Sequence, residues 1–167
     1  MPPTFAVRRA TIADAPIIAR HRAEMFSDMG SLPRALYEDL VAATISYLQK
    51  ALPSEEYVAW LAAPEGQPEL IVAGAGLLQR RVPPRPVVRS GATVRAEGRE
   101  GLILNVFTEK AWRRQGLAEL LMRHVLHWAA DTGIENLVLH ASNDGRPLYE
   151  RLGFVATNEM RYAGWIT

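Results

Sequence analysis

The sequence contains no cysteine, which excludes a disulfide framework, a thiolate zinc site and any thiol nucleophile. It is also poor in lysine. Lys50 and Lys110 are the only two among 19 basic residues, a compositional bias before it is a functional signal. Charge of one sign is missing as well: the formal net charge is +1, so there is no general reason to expect nucleic acid or an anionic membrane as partner. No uncharged apolar run approaches the roughly 20 residues needed to cross a bilayer. The stretch Met1-Pro2-Pro3-Thr4-Phe5 has neither the charged nor the apolar region of a signal peptide, so a cytoplasmic chain is expected. His124 and His127 share one helical stretch without a carboxylate at H-E-x-x-H spacing, and no metal is expected there. What the chain does have is 167 residues at 49% hydrophobic content, enough for one domain spanning 1–167 with a sizeable core.

Residues 7–9 read as a short strand, followed by Thr11 as a helix cap and a helix over about 13–25. Pro16 is tolerable there because it falls in the first turn. Gly30 and Pro33 break the periodicity, so 25–33 is expected as a loop, and a second helix is expected over 34–49. Two apolar runs, 57–61 and 70–78, flank turn formers at 63–68 and read as a β-hairpin. Gly74 and Gly76 inside the second run mark a bulge or a close approach. Residues 80–100 hold three prolines and six arginines and lose all periodicity; a mobile loop with at most a short strand at Val87 and Val88 is expected. Helices and strands alternate irregularly, which suggests a mixed α/β sandwich.

The most informative stretch is Arg113-Arg114-Gln115-Gly116-Leu117-Ala118. It follows a strand-like run at 101–108 and precedes a helix in which Leu117, Leu121, Val125 and Trp128 recur at helical spacing. Gly116 therefore stands at a helix start, where the first N–H groups lack intrahelical partners and the dipole is positive. Such a loop reads as a pocket for a pyrophosphate. It fits neither the P-loop nor the Rossmann glycine spacing.

It does fit the R/Q-x-x-G-x-G/A loop of the GNAT superfamily of acetyl-CoA-dependent N-acetyltransferases, through Arg113, Gly116 and Ala118. Downstream, Leu148-Tyr149-Glu150-Arg151-Leu152-Gly153-Phe154 resembles the family's L-Y-x-x-x-G-F signature at every fixed position. The resemblance implies a GNAT-type α/β (mixed α+β) fold: a central, mixed, splayed sheet flanked by helices on both faces. It is specific over about 102–154 and architectural before that. It further implies acetyl-CoA as cosubstrate, lying between strands 104–108 and 138–141. Val106, Phe107 and Thr108 would then bond the pantetheine arm, and the N–H groups of Arg114, Gln115, Gly116, Leu117, Ala118 and Glu119 would hold the diphosphate beside Arg113. Ser142 or Asn143 stands near the place of the family's cofactor-contacting asparagine. A backbone N–H near Val106 would meet the oxyanion. Tyr149 takes the place of the general acid that protonates the departing thiolate, with a phenol pKa of about 10 close to that of an alkyl thiol.

The base stays open. Some family branches carry a glutamate where this chain has Leu137; His140, Glu24, Asp28, Glu109 or a water chain are the alternatives. The acceptor is a small-molecule amine or a peptide of unidentified class, and homodimers are frequent in the family. The competing reading is a non-catalytic acyl-CoA-binding regulatory module, kept open by Leu137. For Tyr149 and His140 the ordinary alternative is a packing side chain, and for the arginine cluster it is a solvated loop. Either Met25 to Gly30 packs its Met and Phe inward, or it receives an amine.

Overall fold

The computed structural model describes residues 3–164. The N-terminal strand β1 (Phe5–Arg9) turns through a 3-10 segment into α1 (Ala15–Asp28). The corner is held by Asp14. Its carboxylate accepts from both Nη atoms of Arg8 (2.8 and 2.7 Å) and from the N–H of Thr11 (2.8 Å). A second 3-10 turn at Arg34–Leu36 leads into α2 (Tyr37–Ala51). α1 runs three residues beyond the expected Met25, so the loop begins only at Met29: neither Met25 nor Phe26 breaks a helix, and the glycine that does is Gly30, at φ 70°.

β2 (Tyr57–Pro64) and β3 (Ala73–Arg81) form the expected hairpin. β6 (Arg99–Thr108) pairs antiparallel with β3, and β7 (Asn136–Leu139) pairs parallel with β6 after the crossover through α3 (Leu117–Asp131). The five-stranded order is β1-β2-β3-β6-β7, a mixed sheet. α4 (Arg146–Arg151) follows β7. No strand follows α4 among the described residues. Val155 and Tyr162 are exposed there, and among the described residues nothing pairs with the outer edge of β7.

Every residue of β2 is buried, alternate side chains entering opposite cores, because helices cover both faces of the sheet. Val58, Trp60 and Ala62 join Leu117, Leu121, Met122 and Val125 of α3 in one cluster. Tyr57, Ala59, Leu61 and Ala63 join Ala15, Ile18, Leu48 and Ala51 of α1 and α2 in the other. No described helix is long and apolar enough to cross a membrane.

The stretch 80–100 is an ordered hairpin, not the expected loop. β4 (Arg85–Arg89) and β5 (Ala92–Ala96) pair across Ser90 and Gly91, at φ 50° and 78°, the two-residue turn in which both central residues are left-handed. Pro86 fits because a two-stranded ribbon consists of edges alone. The arginine-rich composition hid a serine-glycine turn. Its base is anchored by Glu135, whose carboxylate accepts the N–H groups of Glu97 and Arg99 at 2.9 Å each. The carboxylate of Glu100 also gathers Arg80, Arg85 and Asn136. Burial alone would raise the Glu100 pKa, yet these donors hold it below the usual range.

The Arg8 hydrogen bonds lower the Asp14 pKa to about 2; burial opposes them and the Thr11 N–H assists. A depressed folded-state pKa adds stability that is complete above the unfolded value and disappears as pH falls through the folded one. Wild type should therefore lose about 1–2 kcal/mol more than Asp14→Asn between pH 5 and pH 2 once the half-exposed Arg8 is discounted, as measured by urea melts across that range.

Candidate functional site

Register places the irregularity of the sheet at one spot. Gly74 faces Phe107 and Gly76 faces Leu104, so Asn105 and Val106 together oppose Ala75. This is a β-bulge, and Asn105 takes φ 55°, a left-handed conformation that asparagine tolerates better than most residues. Its side chain is buried and doubly held: Nδ2 donates to the Tyr57 hydroxyl at 2.7 Å, and Oδ1 accepts from Arg22 of α1 at 2.6 Å. Tyr57 reaches it by lying across Gly76, where a Cβ would stand 1.8 Å from the hydroxyl oxygen. Burial pushes the Tyr57 phenol up to about 12.

The bulge coincides with the end of pairing between β6 and β7. The last matched pair is Ile103 with Leu139; beyond it Val106, Phe107 and Thr108 have no partner strand on that side among the described residues. Both strands of the parallel pair end in the same direction. Val106–Thr108 and the 140–143 segment therefore bound one wedge, the type of crevice at strand carboxyl ends where α/β proteins take ligands. Leu137 packs over Gly101, where a Cβ would come within 2.8 Å of its Cδ2, so this position is apolar for a packing reason.

After β6 the chain passes through a 3-10 turn (Lys110–Trp112) into the glycine loop. Arg114 and Gly116 both adopt positive φ, 65° and 80°, and Gly116 is the residue before α3. Among the described residues no acceptor takes the N–H groups of Arg114, Gln115, Gly116, Leu117, Ala118 or Glu119, and the first helical bond runs from Leu120 to Gly116. Successive N–H groups around left-handed residues converge into an anion-binding nest. A Cβ on Gly116 would meet nothing within 4 Å, so packing does not account for the glycine. The two arginines behave differently. Arg113 turns away, its Nε donating to the Thr108 carbonyl at 3.0 Å and its Nη2 pairing with Asp28, while Arg114 makes no ion pair among the described residues. An open depression of about 620 Å³, lined by Pro3, Ala111, Trp112, Arg114 and Gln115, flanks the loop.

Ser142 and Asn143 are exposed at the exit of β7; the Ser142 hydroxyl and carbonyl accept the N–H groups of Gly145 and Arg146, which starts α4. Tyr149 on α4 is half-buried, its ring edge-on to Phe154 at 6.1 Å and against Gly145. Burial raises its pKa, so the phenol keeps its proton at neutral pH.

The four candidate bases are separated by their partners. Asp28 is held below the usual carboxylate range by Arg113 and then Lys110. Glu109 would be raised by burial, but Arg20 at 2.5 Å outweighs this and lowers it. His140 is exposed, with Nε2 3.8 Å from Glu159. Glu24 accepts from the Tyr37 hydroxyl at 2.7 Å and pairs with no cation among the described residues. Arg22, Tyr57, Asn105 and His21 carry no motif that marks them in the sequence. The paired glycines 74 and 76 were the readable trace of this cluster.

Residues 90–167 match the model of the acetyltransferase (GNAT) domain. A crystallised GCN5-related N-acetyltransferase from Ralstonia eutropha JMP134 is 28% identical, with a TM-score of 0.81 over 95% of this chain and 97% of that one. The C-terminal part of the chain thus matches the GNAT acetyltransferase domain, and the whole chain shares the fold of GNAT proteins. An acetyltransferase predicted in Clostridium acetobutylicum and crystallised with acetyl-CoA is 26% identical, with a TM-score of 0.77 over 96% of both chains. The ribosomal-protein-alanine N-acetyltransferase of Brucella melitensis, at 18% identity and a TM-score of 0.67 over 97% of this chain and 99% of that one, shares the fold. No curated protein matches the sequence. The family is one of acyltransferases, and the GNAT fold accounts for the wedge.

Gly76→Ala forces a Cβ into the Tyr57 ring, and overpacking of this kind should cost about 1–3 kcal/mol. Thermal melts should show a lower midpoint for Gly76→Ala, whereas Gly66→Ala, with nothing within 4 Å of its Cβ, should lose only what its φ of 80° demands.

Proposed function

We propose that this protein is an N-acetyltransferase, one domain over its full length, that moves the acetyl group of acetyl-CoA to the primary amine of an acceptor by direct attack. The observation that carries the reading is the row of unpartnered N–H groups from Arg114 to Glu119 around a glycine that packing does not require. These donors suit a diphosphate: each charge-assisted hydrogen bond contributes about 1.5–3 kcal/mol, and the helix dipole adds to them. Arg114 supplies the nearby positive charge, and the adjoining depression has room for the nucleotide end. Likeness to the Clostridium protein, crystallised with acetyl-CoA, supports the same cosubstrate here.

The remaining groups take the tasks left over. Unpaired backbone at Val106, Phe107 and Thr108 bonds the pantetheine amides as an added strand would. A neutral amine attacks the thioester carbonyl, and an N–H at the bulge beside Val106 meets the oxyanion. When the carbon–sulfur bond breaks, Tyr149 gives its phenolic proton to the thiolate. Ser142 and Asn143 stand at the mouth of the wedge, where they contact the cosubstrate. Glu24, without a cation of its own among the described residues, attracts the acceptor's ammonium group; the proton lost before attack passes to it or to water, and the second proton, shed by the nitrogen as the intermediate collapses to the amide, restores the Tyr149 phenol through solvent. The missing cysteine agrees with transfer that forms no acyl-enzyme.

Gly116→Trp finds open space for its side chain but is strained at φ 80°; it should fold with a somewhat lower melting midpoint and weaken CoA binding by at least about tenfold in calorimetry, with Gly116→Ala, which carries the same strain without the bulk, as the control. Unchanged affinity would remove the loop from cosubstrate binding. Tyr149→Phe should lower kcat about 10- to 100-fold with CoA affinity preserved, read as thiol released from acetyl-CoA over a panel of an amino acid, a polyamine, an aminoglycoside and a peptide with a free N-terminus. CoA binding without thiol release from any amine would favour the regulatory module instead.

A further inference from the structure

Two buried groups inside the sheet–α1 interface have complementary unmet needs. His21 is 2% exposed; its Nε2 lies 3.3 Å from Glu109 Oε1, and its Nδ1 has no partner among the described residues. A carboxylate only accepts, so Nε2 carries the proton and Nδ1 is a bare acceptor. Tyr57 supplies the opposite case. Arg22 only donates, which fixes Asn105 with Oδ1 toward Arg22 and Nδ2 toward Tyr57. The Tyr57 oxygen therefore accepts, and its own O–H proton has no acceptor among the described residues.

Both groups line one small cavity, together with Ile18, Leu61, Gly74 and Asn105. The cavity leaves about 10 Å³ within which the centre of a water can lie, so one water fits. Gly74 brings its backbone near Nδ1, where a Cβ would stand 3.7 Å away.

We infer that this cavity is a binding site for a single water that accepts from the Tyr57 hydroxyl and donates to His21 Nδ1, making His21 a positioning residue for the bulge at Asn105. The water completes a chain in which every proton points the same way, from the Arg22 guanidinium through Asn105, Tyr57, water and His21 to the Glu109 carboxylate. Bonds aligned in one direction polarise one another, and a cation at the donor end with an anion at the acceptor end favours that direction. The chain holds Asn105 in its left-handed conformation and so sets where the adjacent Val106 N–H points. The effect on catalysis rests on the acetyltransfer reading; the water site does not.

A crystal structure of the unliganded protein at a resolution that shows ordered water, with 15N NMR of the imidazoles, tests the site. The expected result is a water within hydrogen-bonding distance of Tyr57 Oη and His21 Nδ1, and an Nε2–H tautomer whose Nδ1 shift is that of a hydrogen-bonded acceptor. Gly74→Ala should empty the site. His21→Leu should lower kcat about tenfold with little change in KM for acetyl-CoA, and His21→Gln, which keeps a donor and an acceptor, should restore most of it. A dry cavity, a proton on Nδ1, or full kcat in His21→Leu would each overturn the inference. Water in place without acetyl transfer to any amine would overturn the enzymatic reading alone.

Discussion

The fold's functional geometry depends on one left-handed residue in a strand. A bulge bends the strand that carries it. β6 is paired with β7 up to Ile103 and parts from it just before Asn105, so the same residue that breaks register with β3 also ends pairing with β7. Without the bulge, a regular ladder would continue along Val106–Thr108 and close the wedge. The extra residue opens it, and the buried polar bonds from α1 and β2 make that distortion stable. Gly76 is part of the same arrangement, since Tyr57 reaches Asn105 only across a residue without a side chain.

Electrostatics in α1 follow a related logic. The side turned toward β6 and the glycine loop carries His21, Arg22 and Asp28, each engaged with a residue of β6 or of the segment that follows it. Burial lowers the His21 pKa, Arg20 lowers it further and Glu109 partly offsets both, so the ring is neutral inside the protein. Helix and strand are thus joined by polar bonds where an apolar seam would have sufficed for stability alone. Such networks specify one arrangement of the elements more sharply than apolar contacts do, because a partly satisfied polar group is costly.

Much of this was legible before any coordinates. The hairpin of β2 and β3, the irregularity at Gly74 and Gly76, the loop before α3 and the mixed order of elements follow from local patterns that period and turn chemistry report. The hairpin at 85–96 was hidden because arginine and proline dominate its composition while its turn needs only Ser90 and Gly91 at positive φ. Asn105 was illegible for a different reason. Nothing local marks a non-glycine residue as left-handed, and its partners Arg22 and Tyr57 lie far away in sequence. Arg113 has partners that its motif position does not announce: its guanidinium meets Asp28 and the Thr108 carbonyl.

That tether ties the last residue of α1 to the loop that opens α3. Asp28 also takes Lys110 at 2.9 Å, so two cations from one side of the loop converge on a single carboxylate at the helix end. Any tilt of α1 must therefore drag the loop before α3 with it or break the clamp. Reciprocity makes such a link act in both directions: whatever free energy couples the loop to α1 through Asp28 couples α1 to the loop by the same amount.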